Sequence, residues 1–174
     1  MPDPKSEKSE KSETSETSET IEMLRHTVAT LAYRCGKILR DVPPEGFADF
    51  VVSPGCRTPL AIVAHLGDLI DWAVSAARGA ATWQAAAPRT WEEETDRFFR
   101  SLATLDELLA AGVPPDYSAE QAFQGPIADA LTHCGQLAML RRIAGAPVRA
   151  ENYVRAEIVA GRVGREQTAP RREF

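Results

Sequence analysis

An all-α fold, specifically a four-helix bundle, is what this sequence predicts, on three observations. Four segments repeat their apolar residues at the helical period of 3.6. Each opens on a capping residue or closes on Gly or Pro. No segment shows the strict two-residue alternation of a half-buried strand, so helices packed on helices are the economical architecture.

The elements follow in order. Residues 6–20 read SEKSEKSETSETSET, a three-residue repeat with nothing apolar to bury, so residues 1–20 are expected to form a disordered tail. Helix one is expected over 20–40, with Leu24, Val28, Leu31, Cys35, Ile38 and Leu39 as its core stripe, and Pro43 and Pro44 stop it. His26 falls on the opposite face and is expected to be exposed. Residues 43–57 are too long for a tight turn between antiparallel neighbours and imply a crossover, with Phe47 and Phe50 in a short turn over one end of the bundle. Thr58 and Pro59 open helix two, which runs to about Arg78. His65 shares its inward stripe with Ile62, Leu69, Trp72 and Ala76. Asp68 lies roughly 60° off that stripe, as a boundary residue or a partner of the histidine.

An alanine-rich connector over 79–89 leads to a capping box, Thr90 with Glu93, at the head of helix three. Trp91, Phe98, Leu102, Leu105 and Leu109 form its core face, and Glu93, Asp96, Arg100 and Glu107 form a solvated face opposite. Gly112, Pro114 and Pro115 end it. Ser118 with Gln121 repeats the capping pattern for helix four, which Gly125-Pro126 kinks and Gly145 and Pro147 end. The bundle thus occupies 21–150. A C-terminal extension, 151–174, has one short helical stretch around 152–160 and otherwise reads as a tail or strap, with Tyr153 as a lid or interface residue.

Composition narrows the function. A net charge of −5 without a basic stripe excludes phosphate-backbone binding as the main task, so no nucleic-acid partner is expected. No run reads as a bilayer span and no signal peptide opens the chain, so no membrane is expected and the location is expected to be cytoplasmic. Cys35, Cys56 and Cys134 are odd in number and lack CxxC spacing, which disfavours a disulfide framework or a cysteine zinc site; they are expected to be small buried hydrophobes.

The segment IADALTHCGQLAMLRRIAG, 127–145, carries the chemistry. Asp129 and His133, four residues apart, share a stripe with Gln136, Leu140 and Ile143 and are expected to point inward. An inward carboxylate needs a cationic neighbour, a hydrogen-bond network or a bound metal ion. With His65 from the facing helix, Asp129 and His133 make a two-histidine, one-carboxylate set that would leave coordination positions open for water or substrate. Gln136, one turn on, either orients a ligand or water or satisfies a core polar group. Arg141 and Arg142 lie off the stripe and read as surface charges.

AHLGDLIDW around His65 and THCGQLAMLRRIAGAPV around His133 resemble the second- and fourth-helix segments of the DinB/YfiT-like superfamily of metal-dependent four-helix-bundle enzymes, over most of residues 21–150. In that family a helix-two histidine and an HxxxH pair on the fourth helix bind a divalent ion, usually nickel or zinc. The resemblance implies a metal site at His65, Asp129 and His133. Aspartate replaces the first histidine of the pair here, as a carboxylate does in related mycothiol-dependent isomerases, and Cys134 stands where an arginine often follows the second histidine. It further implies a small-molecule substrate, a low-molecular-weight thiol as co-substrate, S-transfer or isomerisation as the chemistry, and a homodimer. The same ligands would also suit a hydrolase using metal-bound water, and a non-catalytic dimeric bundle with a His/Asp hydrogen-bond network is the remaining alternative.

Overall fold

A computed structural model describes residues 4–43, 46–112 and 117–174, with side chains from residue 18 onward. Among the described residues the chain is helical: α1 (Pro4–Leu39), α2 (Pro59–Ala77), α3 (Trp91–Ala111), α4 (Ala119–Ala122) and α5 (Ala128–Ile143). A π-helical turn, Phe123–Ile127, joins α4 to α5, so these two form one interrupted fourth helix. No strand occurs among the described residues, only an isolated bridge between Glu151 and Glu173.

Helix directions follow from the side chains that meet. Arg25 pairs with Asp106 and Gly36 lies by Phe99, so α1 and α3 are antiparallel. Arg97 reaches the Ala64 carbonyl and Ser101 meets Asp71 further along both helices, so α2 and α3 are parallel. Trp72 packs by Gly125 while His65 faces Asp129, which makes α2 and α5 antiparallel. Around the bundle the order is α1, α3, α2, α5, with α1 and α2 on a diagonal. The expected crossover over 43–57 joins that diagonal pair. A second long connection was not foreseen: parallel neighbours require the chain to return the full length of α2, and residues 78–90 do so. Thr82 bonds to Ser75, Ala86 to Asp68 and Arg89 to Glu94 in succession.

The caps stand where the sequence puts them. Thr58 accepts from Ala61 N, and both bonds of the Thr90–Glu93 capping box form. Ser118 accepts from Gln121 N, although its hydroxyl turns to Glu120. The α1 stripe from Leu24 to Leu39 is buried and His26 is exposed, as expected. Phe47 is buried with its ring edge-on to Trp91 at 5.8 Å, closing the end of the bundle in a turn. The prolines expected to end helices one and three fall partly at positions 44, 114 and 115, outside the described residues.

Several expectations need correction. The backbone of α1 is helical from Pro4, so it runs through the segment expected to be an unstructured tail; residues 1–3 lie outside the described residues. Past Pro4 that segment holds no Gly or Pro, and adding turns to a helix already nucleated by its buried half avoids the cost of a new nucleus. Helix α2 has the length and apolarity of a bilayer span, but 61% of that window is buried within the protein. Its Asp68 and Asp71 bond to Arg97, so its apolar character serves the core. Asp68 is buried in this network with Glu94 rather than bonded to His65. Cys35 and Cys134 are buried as expected, but Cys56 is exposed in the crossover loop.

The extension is a strap. Glu151 is buried beside α1, where it accepts from Tyr33 Oη at 2.7 Å and Lys37 Nζ at 2.9 Å. Val163 enters the core and Arg165 pairs with Glu92 and Asp96 of α3. Only Tyr153–Arg155 is helical, a single 3₁₀ turn. Tyr153 lies edge-on to Tyr33 and under the Arg34 guanidinium, so it fastens the strap to α1 rather than covering the histidines.

Arg141, expected at the surface, is buried and terminates α1 instead. Its Nη1 donates to the Ile38 and Arg40 carbonyls at 2.6 Å each, Nη2 to the Asp41 carbonyl at 3.0 Å and Nε to the Ala146 carbonyl at 3.1 Å. A helix C-terminus offers unbonded carbonyls and partial negative charge, and a guanidinium fork satisfies several at once. Arg141→Met should therefore cost about 2–4 kcal/mol in urea unfolding, with Arg141→Lys recovering only part of it. A loss below about 0.5 kcal/mol, the range of ordinary surface changes, would show that these bonds do not hold the end of α1.

Candidate metal centre

Helix α2 supplies His65 from its middle, and α5 supplies Asp129 and His133 from its first two turns. Pro126 has no N–H to donate, and the chain bridges this defect with a π turn in which Ala128 N bonds back to the Phe123 carbonyl. An extra residue in the turn rotates everything downstream by about 100° relative to α4. That rotation sets which α5 residues face α2.

The expected core face needs correction. The buried residues of α5 are Ala130, Cys134, Leu137, Leu140 and Arg141. The stripe of Asp129, His133, Gln136 and Ile143 runs along the shoulder facing α2, where it stays open to solvent; Ile143 is 50% exposed. The Asp129 side chain is 46% exposed, whereas those of His65 and His133 are 17% and 12% exposed. The carboxylate thus sits at the mouth of the groove with the imidazoles behind it.

The three side chains converge. One ligand atom from each lies within 4.8 Å of the others, the only such group of three or more His, Cys, Asp or Glu side chains among the described residues. His65 Nε2 is 3.7 Å from Asp129 Oδ2, and His133 Nε2 is 3.5 Å from Asp129 Oδ1. The imidazole rings stand edge-on with centroids 4.7 Å apart. His133 Nδ1 lies 2.8 Å from Gln136 Oε1. An amide oxygen only accepts, so the neutral imidazole carries its proton on Nδ1 and leaves Nε2 as the donor atom toward Asp129.

Both nitrogen–oxygen separations exceed the range of about 2.7–3.2 Å for hydrogen bonds. They run to different oxygens of the carboxylate, and each is near the roughly 3.4 Å that separates two tetrahedral ligands about 2.1 Å from a shared ion. The residues present fit a divalent ion: two imidazoles, one carboxylate, an amide that fixes one tautomer, and an open side.

Two residues that the sequence reading passed over border the centre. Trp83, from the returning connector, stands edge-on to His65 at 5.8 Å and to Trp72 at 6.0 Å, forming an aromatic wall. A large aromatic in a segment with little else to bury was the available signal. Arg57, at the end of the crossover loop, acts on His65 through its charge. Clefts open on both sides: one of about 450 Å³ beyond Trp72, and one of about 660 Å³ that includes His133 and Gln136 in its wall.

Set against models of protein families, curated proteins and solved structures, the chain finds no match. A functional reading therefore rests on the α2–α5 groove and its chemistry.

Burial lowers the His65 pKa, and the Arg57 charge and the cost of charging both imidazoles at once lower it further, against the opposing pull of Asp129 and Asp68. In metal-free protein, an NMR titration should place His65 below its ordinary value of 6.5, and Arg57→Gln should move the midpoint upward. The unfolded chain then binds the proton more readily than the folded one, so His65 costs stability as pH falls below 6.5 toward the depressed value. A midpoint at or above 6.5 in the wild-type protein would contradict the described surroundings of this imidazole.

Proposed function

We propose that this chain is a metal-dependent enzyme of the DinB/YfiT-like type, a thiol-dependent S-transferase or isomerase, with His65, Asp129 and His133 holding one divalent ion, nickel or zinc. The observation that carries the reading is the spacing of the three donors: too long for hydrogen bonds, and suited to ligands around a common centre. The all-helical architecture and the crossover over 43–57 are consistent with it.

Each residue has a task. His65 and His133 offer neutral imidazole nitrogens from opposite walls, and Gln136 holds His133 in the tautomer that frees Nε2. Asp129 lowers the net charge of the site and, from the groove mouth, leaves one side accessible to a small molecule. Trp83 shields His65 from bulk water along the outer edge. When bound there, the ion would supply Lewis acidity that lowers the pKa of a thiol or water to near neutrality. That explains how the groove could work without a dedicated base. A low-molecular-weight thiol is the co-substrate favoured by the resemblance; the same residues with water would serve a hydrolase. The non-catalytic reading is less favoured, since its His–Asp contacts would have to close from 3.5 and 3.7 Å and its site would be sealed where Asp129 is half exposed. A homodimer and a cytoplasmic location remain part of the proposal.

Chelator-treated protein titrated with nickel or zinc should take up about one ion per chain. His65→Ala and His133→Ala should abolish that site, and Gln136→Leu should weaken it about 10–100-fold. Absence of the site in the wild type, or full binding by both alanine variants, would overturn the proposal. Turnover of an electrophilic substrate only when a thiol is added supports the transferase or isomerase reading, and turnover without thiol supports the hydrolase.

A further inference from the structure

The larger cleft beside the triad has an uneven chemistry. Val52, Ile62, Leu140, Met139 and Ile143 give it apolar walls, and His133 with Gln136 forms the end nearest the metal donors. Three of these apolar side chains are unusually open: Val52 is 43%, Met139 60% and Ile143 50% exposed. Exposed apolar side chains gathered around a concave surface mark a binding site more often than isolated ones do. Arg57 is the only charged side chain in the lining, which contains no carboxylate. No ion pair or hydrogen bond engages its guanidinium among the described residues, although most arginines of this chain are paired with acids or carbonyls.

We propose that this cleft binds an apolar organic acid, its carboxylate held by Arg57 and its hydrocarbon body laid against Ile62, Leu140, Met139 and Ile143, with the far end directed toward His133. The inference deepens the proposed function by naming the class of substrate, and it rests on that reading only for the reaction, because the cleft can be occupied with or without metal. The charge argument is one of complementarity. An unpaired guanidinium beside an apolar surface rewards an anion attached to an apolar body, and it gives a neutral molecule of the same shape no comparable gain. The planar fork suits a carboxylate in particular, because two parallel N–H···O bonds can form. Apolar walls supply affinity in proportion to area covered, while the cation sets orientation. Together they would fix which part of the substrate meets the metal donors.

The test uses the full chain, metal-free and then nickel-loaded, with octanoate and its neutral counterpart octanamide as probes in calorimetric titrations. Octanoate should bind about tenfold or more tightly than octanamide in both states, the advantage expected of a charge-assisted hydrogen bond at a partly open site. Arg57→Gln should erase that preference while leaving octanamide affinity within about twofold, and Arg57→Lys should restore part of it. Ile143→Glu, a change on an exposed side chain that does not threaten the fold, should weaken both probes. Equal binding of the two probes, or a preference that survives Arg57→Gln, overturns the inference. So does octanoate binding confined to nickel-loaded protein and unaffected at Arg57, which would assign the carboxylate to the metal. Nickel uptake measured on the same samples keeps the two proposals apart: failure to bind nickel removes the metal reading and leaves the carboxylate preference standing or falling by itself.

Discussion

Three donor side chains from two helices converge on the α2–α5 groove, and the local structure depends on what lies among them. The amide oxygen of Gln136 fixes the proton of His133 on Nδ1, so Nε2 turns its lone pair to an Asp129 oxygen 3.5 Å away. His65 approaches the other oxygen of the same carboxylate at 3.7 Å. Both contacts are longer than an ordinary hydrogen bond, and a cation among these donors would be attracted to all three. The π turn at Pro126 matters because it sets the rotation of α5 that brings Asp129 and His133 to this face.

Elsewhere several buried charged groups of the bundle are held in ion-pair and hydrogen-bond networks. Glu94 is fully buried between Arg89 and Arg97, and Arg97 also holds Asp68 and Asp71, tying α2 to α3. Tyr33 and Lys37 close on Glu151 and bind the strap to α1, and Tyr33 consequently loses its proton only far above the ordinary phenol range, through burial first and then its bond to the glutamate. Arg141 joins α5 to the last carbonyls of α1. These networks brace every side of the bundle except the α2–α5 face. The groove is left bordered by Trp83 on one edge and by the apolar cleft with Arg57 on the other.

What could be read from the sequence was whatever local rules decide. Thr58, Thr90 and Ser118 announce helix starts through their own side chains, and the α1 stripe and the core of α3 follow the helical period. His65, Asp129 and His133 were legible as a set because spacing on two helices and the outward position of His26 left few alternatives. Their depth was not, since the stripe was set inward by Leu140 and Ile143, whereas α5 packs through Ala130, Cys134 and Leu137 and leaves Ile143 half exposed. Arg141 looked like a surface charge because its partners are backbone carbonyls, three of the four at the distant end of α1, which leave no mark in the pattern of residue types. Trp83 and Arg57 reach the site from connecting loops, whose paths depend on the parallel arrangement of α2 and α3. The reading of Cys56 failed for the same reason: its surroundings are set by a crossover loop and not by a helical face.

The most direct measurement is anomalous diffraction at the nickel edge from crystals of nickel-loaded protein. The account predicts a single strong peak between α2 and α5, about 2.0–2.2 Å from one nitrogen each of His65 and His133 and from an Asp129 oxygen. A peak confined to some other place, such as the exposed His26, or no peak after loading, would contradict it.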